Sequence, residues 1–485
     1  MTSHNGKVIL LTVASAAALY LLYFFRLDAM GLVGPDEPRY AAIGREMARS
    51  GDWITPRLWG TPWFEKPALI YWMTAAGNLA GLNPDLAPRV PVALLSSCFL
   101  VFFFFRLKQE WGTVPAVYSS AILASSAAWV AFSQSGVTDL PLAATFAGAL
   151  LLALPWIDRG ETRPLPYAAA LLGLAVLAKG LVPLVLVLPV FWFARKRWKD
   201  LLHAPVLLAF AATALPWYVL CTWRNGVPFL TTFFLQHQLG RFSSDALQHG
   251  QPFWFYAPVL LASFFPWTAL LALALQRSLY QERHTLVLGA VALWGFVFFS
   301  ISTNKLGGYL LPLLPPLAAL MGMGLYRVRF AAPWLLIPTL SLAWVPVVGA
   351  LLPVAIASGL RRAWPVPLIV RFRAALLMLP LTMTAATALL AERVHKRHWA
   401  VAGIFVLIVG SVAWLKLTAV PEIDREASAR GLYRKTRSAG AEVCVGPMPR
   451  AWPYALNYYF DRALPACGNS GNPLDPIPSR VVLSH

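Results

Sequence analysis

The chain alternates long apolar runs with short polar segments. A membrane-spanning helix needs roughly 20 apolar residues, and about thirteen runs approach that length. They fall near 8–25, 88–105, 114–132, 140–156, 167–178, 180–194, 202–221, 256–275, 285–302, 308–326, 332–357, 373–391 and 399–419. The fifth and sixth are short and separated only by Lys179-Gly180, so they read as two spans or as one tilted helix. Loop charge decides. Cationic loops are retained in the cytoplasm. Two spans place Arg106 and Lys108, Arg159 and Arg163, Arg195 to Lys199, Arg277 and Arg283, Arg327 and Arg329, and Arg393 to Arg397 on that side. One span moves Arg195 to Lys199 out. Two spans are therefore expected, with the N-terminus inside and the tail from about 421 outside. Arg361, Arg362, Arg371 and Arg373 are exceptions to the charge rule. No small-residue cleavage site follows the first run, which is expected to stay as the first span.

Composition agrees with a multi-pass protein. Of 485 residues, 58% are hydrophobic and 13% charged, against about 25% charged in soluble domains. The net charge of +19 would suggest nucleic acid in a soluble chain. Here the basic residues are scattered between apolar runs, which suits cytoplasmic loops and argues against nucleic-acid binding. Cys98 and Cys221 lie in or beside apolar runs and read as packing residues. Cys444 and Cys467 are the two cysteines of the polar tail, without metal-ligand spacing. A disulfide between them is expected if the tail faces an oxidising compartment.

Candidate chemistry gathers in the loops. The first outer loop, 27–87, and the second, 222–255, are long. Asp36, Glu37, Glu46, Asp52, Glu65 and Asp85 make six of the chain's 21 acidic residues, all within 31–88. Asp36-Glu37-Pro38-Arg39-Tyr40 opens a stretch with helical spacing of Tyr40, Ile43, Gly44 and Met47, ending at Gly51. It reads as a short amphipathic helix on the membrane surface. Asp36 then either caps this helix or does chemistry. Asp139, ahead of the fourth run, poses the same choice. Glu65-Lys66-Pro67 sits among aromatics, where the two charges either pair or offer a cation to a lipid phosphate. The second loop carries His237, Arg241 and His249. Lys305 and Tyr309 are four apart and are expected to share a helical face, with lysine snorkelling and an interfacial tyrosine as the alternative account. The tail, 421–485, reads as a helical stretch over 423–439 and a strand over 442–445, too small for a large core of its own and expected to dock on the loops.

The run from Asp36 to Tyr40, then Gly51-Asp52-Trp53, then Glu65-Lys66-Pro67, resembles the bacterial aminoarabinose transferases that modify lipid A. It also resembles the wider group of polyprenyl-phosphate-sugar glycosyltransferases related to protein O-mannosyltransferases. The resemblance is specific over about 31–75 and recurs at Asp139, around 237–267 and around 305–316. It departs at Ala68, where a second proline is common, and at Gly307-Gly308, where Pro-Gly is frequent. It implies an all-α polytopic membrane protein of the GT-C fold. Residues 1–420 would form the catalytic membrane domain and 421–485 a small α/β-like extracytoplasmic domain. It implies Asp36 and Asp139 as catalytic carboxylates, and Glu37, Arg39, Tyr40, Lys66, Arg241, Lys305 and Tyr309 as substrate-binding residues. No cofactor is required by it, with Glu65 and His237 as ligands should a divalent metal be used. The implied partners are a polyprenyl-phosphate sugar donor, a lipid, glycan or protein acceptor, and membrane lipids. The implied setting is the bacterial inner membrane with the site on the periplasmic face. A transporter or flippase is the rival reading, weakened because no internal repeat is visible and Lys179 is the one strong mid-span charge. A catalytically dead lipid-binding scaffold is a third.

Overall fold

In a membrane each backbone polar group must find a partner within the protein, which drives apolar runs into helices. The computed structural model describes residues 2–239, 250–345, 349, 397–437, 442–446, 448, 451–467 and 480–483. Among them, six helices are long and apolar enough to cross a membrane: Val90–Trp111, Asp139–Arg159, Ala204–Asn225, Arg283–Ile301, Gly307–Arg327 and Arg397–Arg425. Val8–Phe24, Thr113–Ser125, Leu165–Lys179, Val182–Phe193 and Ala332–Leu342 are shorter apolar helices on other expected runs. The run at 373–391 and Arg361, Arg362, Arg371 and Arg373 lie outside the described residues. The fifth and sixth runs are separate: a helix ends at Lys179 and Gly180 leaves the helical region.

Two expected spans are not straight. The run at 114–132 breaks at Ser126 into Thr113–Ser125 and Ala127–Phe132. The run at 256–275 breaks into Phe253–Ser263 and Trp267–Leu275, which meet at 116°. The two breaks lie against each other. The Ala127 N–H donates to the Phe265 carbonyl at 2.9 Å and the Trp267 indole N–H to Ser125 Oγ at 2.9 Å. Backbone groups freed by one break are thus satisfied by the other, a long-range match that hydropathy does not reveal.

Loop contacts sort the connections into two ends. At one, Glu110 takes Arg106 at 3.2 Å and Arg159 at 3.0 Å. Arg283 there donates to the Phe193 carbonyl at 2.7 Å, and Arg397 to the Leu325 carbonyl at 2.7 Å. These are the loops the charge pattern placed in the cytoplasm. At the other end lie both long loops and the tail, with Arg224 on Asp52 at 3.0 Å.

That second end is built on the loop helix Asp36–Ser50, which closes at Gly51 with a 3.0 Å bond from its N–H to the Met47 carbonyl. It packs on a second loop helix, Leu69–Leu79, so closely that a Cβ at Gly44 would lie 2.5 Å from Thr74 Cβ and 2.9 Å from the Tyr71 carbonyl oxygen. The expectation of a membrane-surface helix needs correction. Its polar side is covered too, burying Arg39 and Arg45. The cover is the tail: helix Arg430–Arg437, helix Ala451–Phe460, and strand Glu442–Val445 paired in parallel with Arg480–Leu483. Ala429, Val443, Trp452, Ala455 and Leu456 form its small core, and Cys444 is disulfide-bonded to Cys467. Arg430 docks the tail. It reaches Asp85 at 2.8 Å, Asp424 at 2.7 Å and the Asp28 carbonyl at 2.7 Å.

Candidate active site

Asp36 is the first residue of its helix, not the cap. Pro35 precedes it and no side chain caps that end. The Asp36 carboxylate instead pairs with Arg39, one turn on. Arg39 also donates to the Pro35 carbonyl at 3.0 Å and to Glu65 Oε2 at 3.0 Å. Lys66 Nζ lies 3.1 Å from Glu65 Oε1. The result is a chain, Asp36–Arg39–Glu65–Lys66, joining two loop segments far apart in sequence. Burial works against the Arg39 charge, but Glu65 and Asp36 outweigh it and hold the guanidinium above its ordinary pKa. Access is uneven. The Asp36 side chain is 39% exposed, while those of Arg39, Glu65 and Lys66 are at 8% or less. Asp36 is the most exposed member of the chain.

Tyr40 and Tyr71 lie beside this chain, edge to face at 5.7 Å. Both hydroxyls are buried; that of Tyr40 has no hydrogen-bond partner among the described residues, and the Lys66 backbone faces that of Tyr71. Burial pushes both pKa values up, so both phenols stay neutral and keep a proton to donate.

Glu37 was expected to touch substrate, and the structure corrects this. It is 1% exposed. Arg89 meets both its oxygens at 2.8 Å, and the N–H groups of Val33 and Gly136 donate to it at 3.0 and 2.9 Å. A carboxylate so occupied holds the loop to the bundle and has nothing left for a ligand.

A second cluster surrounds Asp139. It too begins a helix without capping it. Lys179 Nζ lies 2.6 Å from Asp139 Oδ1 and 4.6 Å from the centre of the Tyr309 ring. Gly308 makes room, since a Cβ there would lie 2.6 Å from the same carboxylate oxygen. Lys179, the charge that gave the transporter reading its support, is thus an ion-pair partner at a span end. Sequence reasoning missed it as a site residue, although its placement before Gly180 marked a helix end. The expected shared face of Lys305 and Tyr309 also fails. Lys305 precedes the 3-10 turn Gly307–Leu313 and donates to the carbonyls of Gln251 at 3.0 Å and Ser302 at 2.5 Å, while Tyr309 turns to Lys179. Leu306 between them is extended, so Lys305 and Tyr309 do not lie on one helix.

The His237 side chain and Arg241 lie outside the described residues. Glu65 does not suit a divalent metal: each oxygen already faces a cation, Arg39 or Lys66, and a third positive charge there is repelled. Among the described residues no group of three His, Cys, Asp or Glu gathers at metal-binding distance.

The tail meets this site through Asp461, which takes Arg45 at 3.1 Å and Arg49 at 2.7 Å. Burial raises the Asp461 carboxyl, but the two arginines outweigh it and hold it below its ordinary 3.8. A depressed carboxylate pKa gives a contribution that is full above the ordinary value and lost as pH falls through the depressed one. Tail docking should therefore loosen below pH 3.8, and Asp461→Asn should remove that part of the acid sensitivity. Limited proteolysis of the tail across pH 3 to 6 checks it; identical profiles for both proteins would contradict the assignment.

A bundle of apolar helices with its charged chain at one rim, under a small docked tail, is a multi-pass membrane architecture. Known proteins bear this out. The family model for dolichyl-phosphate-mannose-protein mannosyltransferases matches residues 65–223. The chain is 33% identical over 325 residues to the undecaprenyl phosphate-alpha-4-amino-4-deoxy-L-arabinose arabinosyl transferase of Pseudomonas paraeruginosa, covering 64% of this chain and 58% of that one. It is 38% identical over 324 residues to a transferase of the same name from Sodalis glossinidius, covering 62% and 57%. The aligned regions thus span under two thirds of these relatives. The crystal structure of ArnT from Cupriavidus metallidurans bound to undecaprenyl phosphate shares the fold, with a TM-score of 0.75 at 23% identity over 96% of this chain and 86% of that one. The resemblance read from the loop motifs to polyprenyl-phosphate-sugar glycosyltransferases therefore stands.

Proposed function

We propose that the protein is a membrane glycosyltransferase. It moves a sugar from an undecaprenyl-phosphate donor to a lipid A-like acceptor on the periplasmic face of the bacterial inner membrane. The names of the relatives suggest 4-amino-4-deoxy-L-arabinose as that sugar. The observation that carries the reading is the Asp36–Arg39–Glu65–Lys66 chain, with Asp36 its accessible end.

The acceptor oxygen attacks the anomeric carbon of the sugar. The bond from that carbon to the phosphate oxygen breaks, and its electron pair leaves with the polyprenyl phosphate. Lys66, with Arg241 by resemblance, stabilises that departing anion. An acceptor hydroxyl needs a base, which is Asp36. An acceptor phosphate is already ionised, and Asp36 then orients it. By resemblance Asp139, held by Lys179, is the second carboxylate. The test is the purified chain in vesicles with undecaprenyl-phosphate aminoarabinose and lipid A. Mass spectrometry should show the acceptor gaining one sugar, and no gain with a competent donor would overturn the proposal.

Lys66→Ala should weaken donor use without unfolding the loop, because Glu65 keeps Arg39. A charge-assisted phosphate contact contributes about 1.5–3 kcal/mol, so the donor KM should rise, or turnover fall, by roughly tenfold or more. Wild-type kinetics in the variant would show that Lys66 only balances Glu65.

A further inference from the structure

Arg39 is the joint of the charged chain, and one of the rings against it comes from the tail. The Arg39 guanidinium carbon lies 5.1 Å from the Tyr454 ring centre, 5.7 Å from Trp63 and 6.0 Å from Tyr40. Trp63 and Tyr40 belong to the first loop, whereas Tyr454 sits on the tail helix Ala451–Phe460. A guanidinium is planar and weakly hydrated, so ring faces hold it in one plane, more strongly where water is excluded. That plane matters here. Arg39 must meet Asp36, the Pro35 carbonyl and Glu65 together, and each needs a different N–H of the fork.

The helix that carries Tyr454 is fixed along its length. Tyr458 accepts from Arg45 through its carbonyl at 2.8 Å, lies under the same guanidinium at 3.7 Å, and donates its hydroxyl to the Pro84 carbonyl at 2.8 Å. Tyr459 donates to Asp85 at 2.6 Å and accepts the Leu32 N–H at 2.8 Å. On the other side Trp452, Ala455 and Leu456 pack with Val443. The Cys444–Cys467 disulfide closes the segment containing this helix.

We infer that Tyr454 is a positioning residue of the active site: the tail clamps Arg39 with the Tyr454 ring, and through Arg39 it orients Asp36. The disulfide keeps that clamp in register. Tail and loop are thus one functional unit, and reductant acts on turnover through the tail. The inference rests on the glycosyltransferase reading above, in which Asp36 meets the acceptor.

The test uses the full chain, the same donor and acceptor, and the variants Tyr454→Phe and Tyr454→Leu. Phenylalanine keeps the ring face; leucine keeps apolar bulk without it. The Phe variant should retain most of the wild-type kcat. The Leu variant should lose about tenfold in kcat, the scale of one desolvated cation–π contact, with donor KM little changed and the thermal midpoint held. Reducing wild-type protein with dithiothreitol should lower kcat in the same way, and reoxidation should restore it. Equal kcat in the Phe and Leu variants would overturn the clamp. If the Leu variant does not fold, the reduction arm decides, and an unchanged rate after verified reduction refutes the clamp. A wild-type chain that transfers no sugar refutes the glycosyltransferase reading instead, so the two failures are distinguishable.

Discussion

Asp36→Asn abolishes transfer while the protein still inserts and folds. Asparagine has the same shape and serves helix starts about as well as aspartate, and Asp36 makes no capping bond that could be lost. Arg39 keeps Glu65 at 3.0 Å, so its guanidinium retains a carboxylate partner. What disappears is one exposed negative charge at the end of the chain. Loss of a positioned base slows a reaction by about 10²- to 10⁴-fold. Initial rates in vesicles, beside thermal midpoints in detergent, measure both halves of the expectation. An Asn variant that transfers sugar at the wild-type rate would sink the role given to Asp36.

One residue on, the expected result inverts. Glu37→Ala should be primarily a folding defect. Its carboxylate is buried against Arg89, which also donates to the carbonyls of Leu27 at 3.1 Å, Met30 at 2.5 Å and Gly31 at 2.9 Å. Removing one partner of a buried pair leaves the other uncompensated and costs about 3–5 kcal/mol. The thermal midpoint should fall sharply, and the double change Glu37→Ala with Arg89→Ala should recover part of the loss. A Glu37→Ala protein as stable as the wild type but inactive would return Glu37 to the substrate-binding set.

Adjacent carboxylates with opposite fates show how far a motif can be read. Asp36 and Glu37 stand in the same pattern and carry the same charge. They differ only in which way the helix turns them, one to solvent and one to Arg89. The start at Asp36 and the end at Gly51 were legible because proline, acidic residues and glycine act locally at helix ends. That the tail docks on the loops was expected from its small size; that it covers this helix in particular, burying Arg39 and Arg45, was not legible. Its exposed-looking arginines carry no local sign of the partners that bury them.

The apolar runs, the break at Lys179-Gly180 and the grouping of basic loops followed from sequence alone. Each depends on neighbours along the chain, on the absence of water in a bilayer, or on the count of charges in one loop. The same holds for the loop motifs, whose residue types and spacing carried the resemblance. Other features arise between segments distant in the chain. They are the mutual satisfaction of the two helix breaks, the pairing of Asp139 with Lys179, the parting of Lys305 from Tyr309, and the stacking of Tyr454 on Arg39. A buried charge takes whichever partner the packed fold brings within about 3 Å, because in a low-dielectric interior an unpaired one is costly. Which partner that is depends on how helices cross and where loops return, and no spacing along the chain records it.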